Sequence, residues 1–77
     1  MNKKLAELMQ QQEEKIRLTL VPLDKVYTIQ RLASNIVILS YSVEASFDKA
    51  LAHLKTGSGY MISTATVVNE KRIILTF

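Results

Sequence analysis

The stretch from Ser46 to Gly57 constrains the fold most, because it carries both a start and a stop for a short amphipathic helix. Ser46 stands where an N-cap hydroxyl is wanted, and Asp48 follows in the first turn, where the helix dipole favours an anion. Phe47, Ala50, Leu51 and Leu54 recur at the i, i+3, i+4, i+7 spacing of one apolar face. Lys55 suits the last turn and Gly57 the exit. The period then changes. Tyr60 to Val68 and Arg72 to Phe77 are rich in β-branched and aromatic residues, and Asn69-Glu70-Lys71-Arg72 separates them as a polar turn, so the chain is expected to close with a β-hairpin. A helix leading into a hairpin excludes an all-helical bundle and an all-β sandwich.

Upstream, Ile36 to Val43 places Val37, Leu39, Tyr41 and Val43 on one face and Ile38, Ser40 and Ser42 on the other, the period of a strand. Ile16 to Val21 alternates in the same way until Pro22 and predicts another strand. Leu23 to Asn35 supports two readings. Val26, Ile29, Leu32, Ala33 and Ile36 recur at helical spacing with Asp24 near a cap, which favours helix. Alternatively Val21-Pro22-Leu23-Asp24 turns the chain and Lys25 to Leu32, with its β-favouring Val26, Tyr27, Thr28 and Ile29, is a strand. Lys3 to Lys15 are strong helix formers, and Met1, Leu5, Leu8 and Met9 draw a narrow apolar stripe that gives out at Gln12.

These segments predict an α+β fold in a small single domain: an antiparallel sheet with a C-terminal β-hairpin, one well-signed covering helix and an N-terminal amphipathic helix. The helix over residues 1–15 is expected either to dock on the compact domain of residues 16–77 or to self-associate through Leu5, Leu8 and Met9. Phe47, Leu51, Leu54, Leu39, Val43, Ile62, Ile73 and Leu75 are the expected core. Each contributes about 1.5–3 kcal/mol when fully buried, which barely supports a stable monomer once chain entropy is subtracted, so a homodimer is expected.

Chemistry has little to work with. The 77 residues contain no cysteine, which removes a disulfide framework, a thiolate metal site and a cysteine nucleophile together and points to a cytoplasmic location. His53 is the lone histidine, and no metal-ligand spacing surrounds it. Thr56-Gly57-Ser58-Gly59 follows a helix C-terminus, whereas a phosphate-gripping loop precedes an N-terminus. No catalytic residue, metal or cofactor is therefore expected, and the chain is read as non-enzymatic. The longest uncharged stretch, Leu32 to Val43, is too short to cross a ~30 Å hydrocarbon layer as a helix, so no membrane partner is expected.

Ten basic against seven acidic residues give a net charge of +3, which suits an acidic partner, although no segment forms a basic block. Thr28 to Asn35, the Ser46 to Lys55 helix, Gly59-Tyr60-Met61-Ile62 and a hairpin with Glu70, Lys71 and Arg72 at its tip together resemble a winged helix-turn-helix. That resemblance implies that Lys49, Ala52, His53 and Lys55 would face the major groove, with Lys71 and Arg72 touching phosphates from the wing. Tyr41 and Tyr60 offer a second route to nucleic acid, as stacking platforms on the sheet. The leading expectation is thus a small regulatory or accessory protein that binds nucleic acid. The alternative is a protein–protein interaction module, a small inhibitor or adaptor acting through an edge strand or the N-terminal helix. Lys49, Lys55, Lys71 and Arg72 discriminate the two: a shared face favours nucleic acid, and dispersal favours a protein partner.

Overall fold

A computed structural model describes residues 3–77. The chain runs α1 (Lys3–Leu20), β1 (Tyr27–Ala33), β2 (Ile36–Tyr41), α2 (Glu44–Lys55), β3 (Met61–Val67) and β4 (Glu70–Thr76). The strands form a four-stranded antiparallel sheet in the order β1-β2-β4-β3. The fold is α+β, with a closing hairpin and an N-terminal helix. Each hairpin follows its own helix, and the two α-β-β halves meet where β2 lies against β4. Both hairpins turn on an asparagine, at Ser34–Asn35 and Val68–Asn69, and Asn69 takes a positive φ of 63°. No repeat is visible in the sequence, so the repetition lies in the topology.

Strand alternation divides the sheet into two faces. Val37, Leu39 and Tyr41 of β2 and Ile73 and Leu75 of β4 turn towards the helices and are buried, with Leu39 opposite Ile73 and Val37 opposite Leu75. Onto them α1 packs Ile16 and Leu20, and α2 packs Phe47, Ala50 and Leu54. Ile36, Ile38 and Ile74 alternate onto the opposite face, where they are half-buried.

Four expectations are corrected. Ile16 to Val21 is no strand: α1 continues to Leu20. The alternation there is also helical, since Ile16 and Leu20 are one turn apart and both buried, while Leu18 is 65% exposed. Within Leu23 to Asn35, Tyr27–Ala33 form β1 and Ser34–Asn35 its turn, in line with the strand reading. Tyr27 pairs with Tyr41 and Ile29 with Leu39, and these ladder contacts outweigh the helical spacing of Val26 and Leu32, which are exposed. Helix α2 starts before Ser46: Val43 is its N-cap, with no side-chain cap bond, and Glu44 supplies the first-turn carboxylate. Finally, the last turn is Val68–Asn69, so Lys71 and Arg72 belong to β4.

Within the expected core, Phe47, Leu54, Leu39, Ile73 and Leu75 are buried. Leu51 and Ile62 pack at its margin, and Val43, as the N-cap residue, is exposed. The carboxyl end of α2 is closed by Tyr60, whose hydroxyl donates to the Leu54 carbonyl at 2.8 Å. Gly57 leaves the space for that contact, because a Cβ there would run into the Tyr60 hydroxyl.

Candidate interaction surfaces

The cations singled out by the sequence are not gathered on one surface. Lys71 and Arg72 are consecutive in β4 and so project to opposite faces of the sheet. Lys71 lies on the helix side. Its ammonium donates to Glu44 Oε1 at 2.7 Å and lies 5.3 Å from the centre of the Phe47 ring. The hydrogen bond with Glu44, reinforced by the carboxylate charges of Glu44 and Asp48, raises the Lys71 pKa, and the same hydrogen bond lowers that of Glu44. Arg72 lies on the other face. It donates to Glu70 Oε1 at 2.8 Å, and its Nε is buried without a hydrogen-bond partner.

Lys49, His53 and Lys55 are exposed on α2, on the helix side of the sheet, with His53 Nδ1 3.1 Å from the Lys49 carbonyl oxygen. Arg72 therefore shares no surface with them. The winged helix-turn-helix resemblance needs Thr28 to Asn35 as a helix, and that segment is β1 and its turn. The stacking route meets a similar obstacle. Tyr41 is 2% exposed, wedged against Tyr27 and Phe47, and burial, with a smaller contribution from Tyr27, pushes its hydroxyl up to about 12. Tyr60 is engaged by the end of α2.

The N-terminal candidates divide along α1. Leu5 and Leu8 are 40% and 51% exposed and Met9 is half-buried, while Met1 lies outside the described residues. Docking begins one turn further on, at a residue that looked like the end of the seam: Gln12 is buried. Its side-chain oxygen accepts from Arg31 Nη1 at 3.0 Å. The same guanidinium donates to the Met9 carbonyl at 3.0 Å and to the Ala33 and Ser34 carbonyls at 3.2 and 3.1 Å. Glu13 lies 3.5 Å away. Arg31 thus clamps the middle of α1 to the first hairpin, a role that its place among the helix-spaced residues of the sequence concealed.

The two sheet edges differ. β1 is interrupted by a register shift between Arg31 and Ala33, the kind of bulge that blunts an edge. β3, Met-Ile-Ser-Thr-Ala-Thr-Val, carries no charge, no Pro and no Gly, and its register with β4 is unbroken from Met61 to Val67. Met61 is 75% exposed and Val67 40%.

An open cleft lies between the start of α2 and the second hairpin, lined by Tyr41, Glu44, Thr66, Asn69, Glu70 and Lys71. Its charged side chains already sit in ion pairs, Lys71 with Glu44 and Glu70 with Arg72. Among the described residues no group of three or more His, Cys, Asp or Glu is placed to hold a metal ion, and no helix is long and apolar enough to cross a membrane. No family model matches this chain, and no match is found among curated proteins or solved structures.

Proposed function

We infer that this chain is a non-enzymatic protein-interaction module that acts as a homodimer and offers the first turns of α1 to an apolar groove on another protein. One observation carries the reading. Leu5 and Leu8 stand exposed on a helix whose next turn is held by the Arg31 clamp, so two apolar anchors are presented on a positioned helix. A groove that accepts them gains their burial with little ordering cost, since the helix is already formed. The separation of Arg72 from Lys49, Lys55 and Lys71, and the pairing of Lys71 with Glu44, support a protein partner over a nucleic-acid backbone, which needs free cations on one surface.

The test is quantitative co-purification from the source cells with wild type, Leu5→Asp/Leu8→Asp and Lys71→Ala/Arg72→Ala proteins. A protein retained by the wild type and the cation variant but lost from the leucine variant is the expected result. Binding of a 30-base-pair duplex that falls steeply with salt and is weakened in the cation variant would instead return the nucleic-acid reading.

A further inference from the structure

We propose that the β3 edge pairs antiparallel with β3 of a second copy of this chain, about a two-fold axis through Thr64, to make one continuous sheet across the dimer. The proposal rests on the homodimer reading above and adds the interface and its register. The two-residue turn closes on the Val67–Glu70 pair, which must therefore exchange main-chain hydrogen bonds. Alternation along the ladder then has Ser63 and Ala65 bonded to β4 and turns the peptide groups of Ile62, Thr64 and Thr66 to the free edge. Those three residues are centred on Thr64. An axis there lets Thr64 face its own copy and Ile62 face Thr66 of the second copy, in about six new main-chain hydrogen bonds.

The side chains are self-complementary in the same register. Residues directly opposite each other share a face, so Met61, 75% exposed, meets Val67 of the second copy, 40% exposed, on the side away from the helices. On the helix side Thr64 and Thr66 are exposed, which leaves room beside the strand for the second copy. No charge in the strand opposes the approach. A second copy thus satisfies the whole edge symmetrically. The bulged β1 edge, which carries Arg31, offers no comparable register.

Sedimentation over a concentration series, with wild type and Thr64→Pro, reads the assembly. Proline removes a donor that points out of the sheet, so Thr64→Pro is expected to keep the wild-type circular dichroism and to be monomeric where wild type is dimeric. Oxidation of single-cysteine variants reads the register and does not depend on that substitution being tolerated, because the chain has no cysteine of its own. At the axis the Cα atoms are ~5.5 Å apart, within disulfide reach, so Thr64→Cys should cross-link readily. Ser63→Cys, which lies off the axis opposite Ala65, should cross-link at least tenfold more slowly. A wild-type monomer at every concentration would overturn the homodimer reading along with this interface. A wild-type dimer in which both cysteines cross-link equally, or neither does, would overturn the β3 interface alone and place the contact elsewhere.

Discussion

Arg31 donates to the buried side-chain oxygen of Gln12 at 3.0 Å, and this bond joins the first helix to the first hairpin. The same guanidinium also holds the Met9, Ala33 and Ser34 carbonyls. Arg31→Met should cost about 2–3 kcal/mol in urea unfolding, because it leaves a buried amide oxygen without a donor and removes several charge-assisted bonds. Adding Gln12→Leu to Arg31→Met should restore part of that loss, since removing both partners abolishes the unmet polar group. A double variant less stable than Arg31→Met alone would show that the clamp contributes otherwise than through this pair.

Tyr60 and Gly57 form a second coupled pair. Tyr60→Phe removes one of two donors to the Leu54 carbonyl, leaving the Gly57 N–H at 3.1 Å, and should cost about 1 kcal/mol. Gly57→Ala drives a methyl group into the same hydroxyl, so it should destabilise the wild type more than it destabilises Tyr60→Phe. A thermodynamic cycle of the four proteins by thermal unfolding measures this coupling; strict additivity would contradict the contact.

Tyr41 sets an alkaline limit. Its hydroxyl ionises at about 12 in the folded chain against an ordinary value of 10, because burial disfavours the phenolate, and Tyr60 is shifted in the same direction by burial. A folded pKa above the unfolded one means that this stabilisation is complete below pH ~10 and is lost as pH rises towards 12. Stability measured by urea unfolding should fall across that window in the wild type and less in Tyr41→Phe. Absorbance at the phenolate band should show Tyr41 ionising together with loss of the fold.

Leu18 and Leu20 separate the helical reading of this segment from the strand reading. A half-buried strand would place both on one face, whereas α1 exposes Leu18 and buries Leu20. Leu20→Ala should cost about 2–5 kcal/mol, and Leu18→Ala should stay within about 0.5 kcal/mol of wild type. Equal losses would be incompatible with α1 reaching Leu20.

What was legible in the sequence is what local pattern alone decides. The α2 face of Phe47, Ala50 and Leu54, the alternation of Val37, Leu39 and Tyr41, and the β-rich closing segment each have one dominant period, and each appears where that period points. The errors fall where two periods coexist. Ile16-Arg17-Leu18-Thr19-Leu20 satisfies a spacing of two and a spacing of four, and only packing against the sheet chooses between them. Val26 to Ala33 mixes helical spacing with β-favouring residues, and the choice is made by β2, which is not local. Surface electrostatics were less legible still: Lys71 and Arg72 read as one basic tip, and a turn displaced towards Val68 sends them to opposite faces. The Arg31 clamp joins residues far apart in sequence, and no local signal marks it.

The meeting of the two α-β-β halves has a kinetic consequence. Within each hairpin the strands are joined by a two-residue turn, so each can zip with little loss of chain freedom. The ladder between β2 and β4 is different, because it closes the intervening chain, including all of α2, before any of its contacts form. Leu39 and Ile73 sit opposite each other in that ladder. Conservative truncation at either should therefore slow refolding, whereas truncation at the hairpin ends should act mainly on unfolding. Closing that central seam is thus the step expected to set the folding barrier.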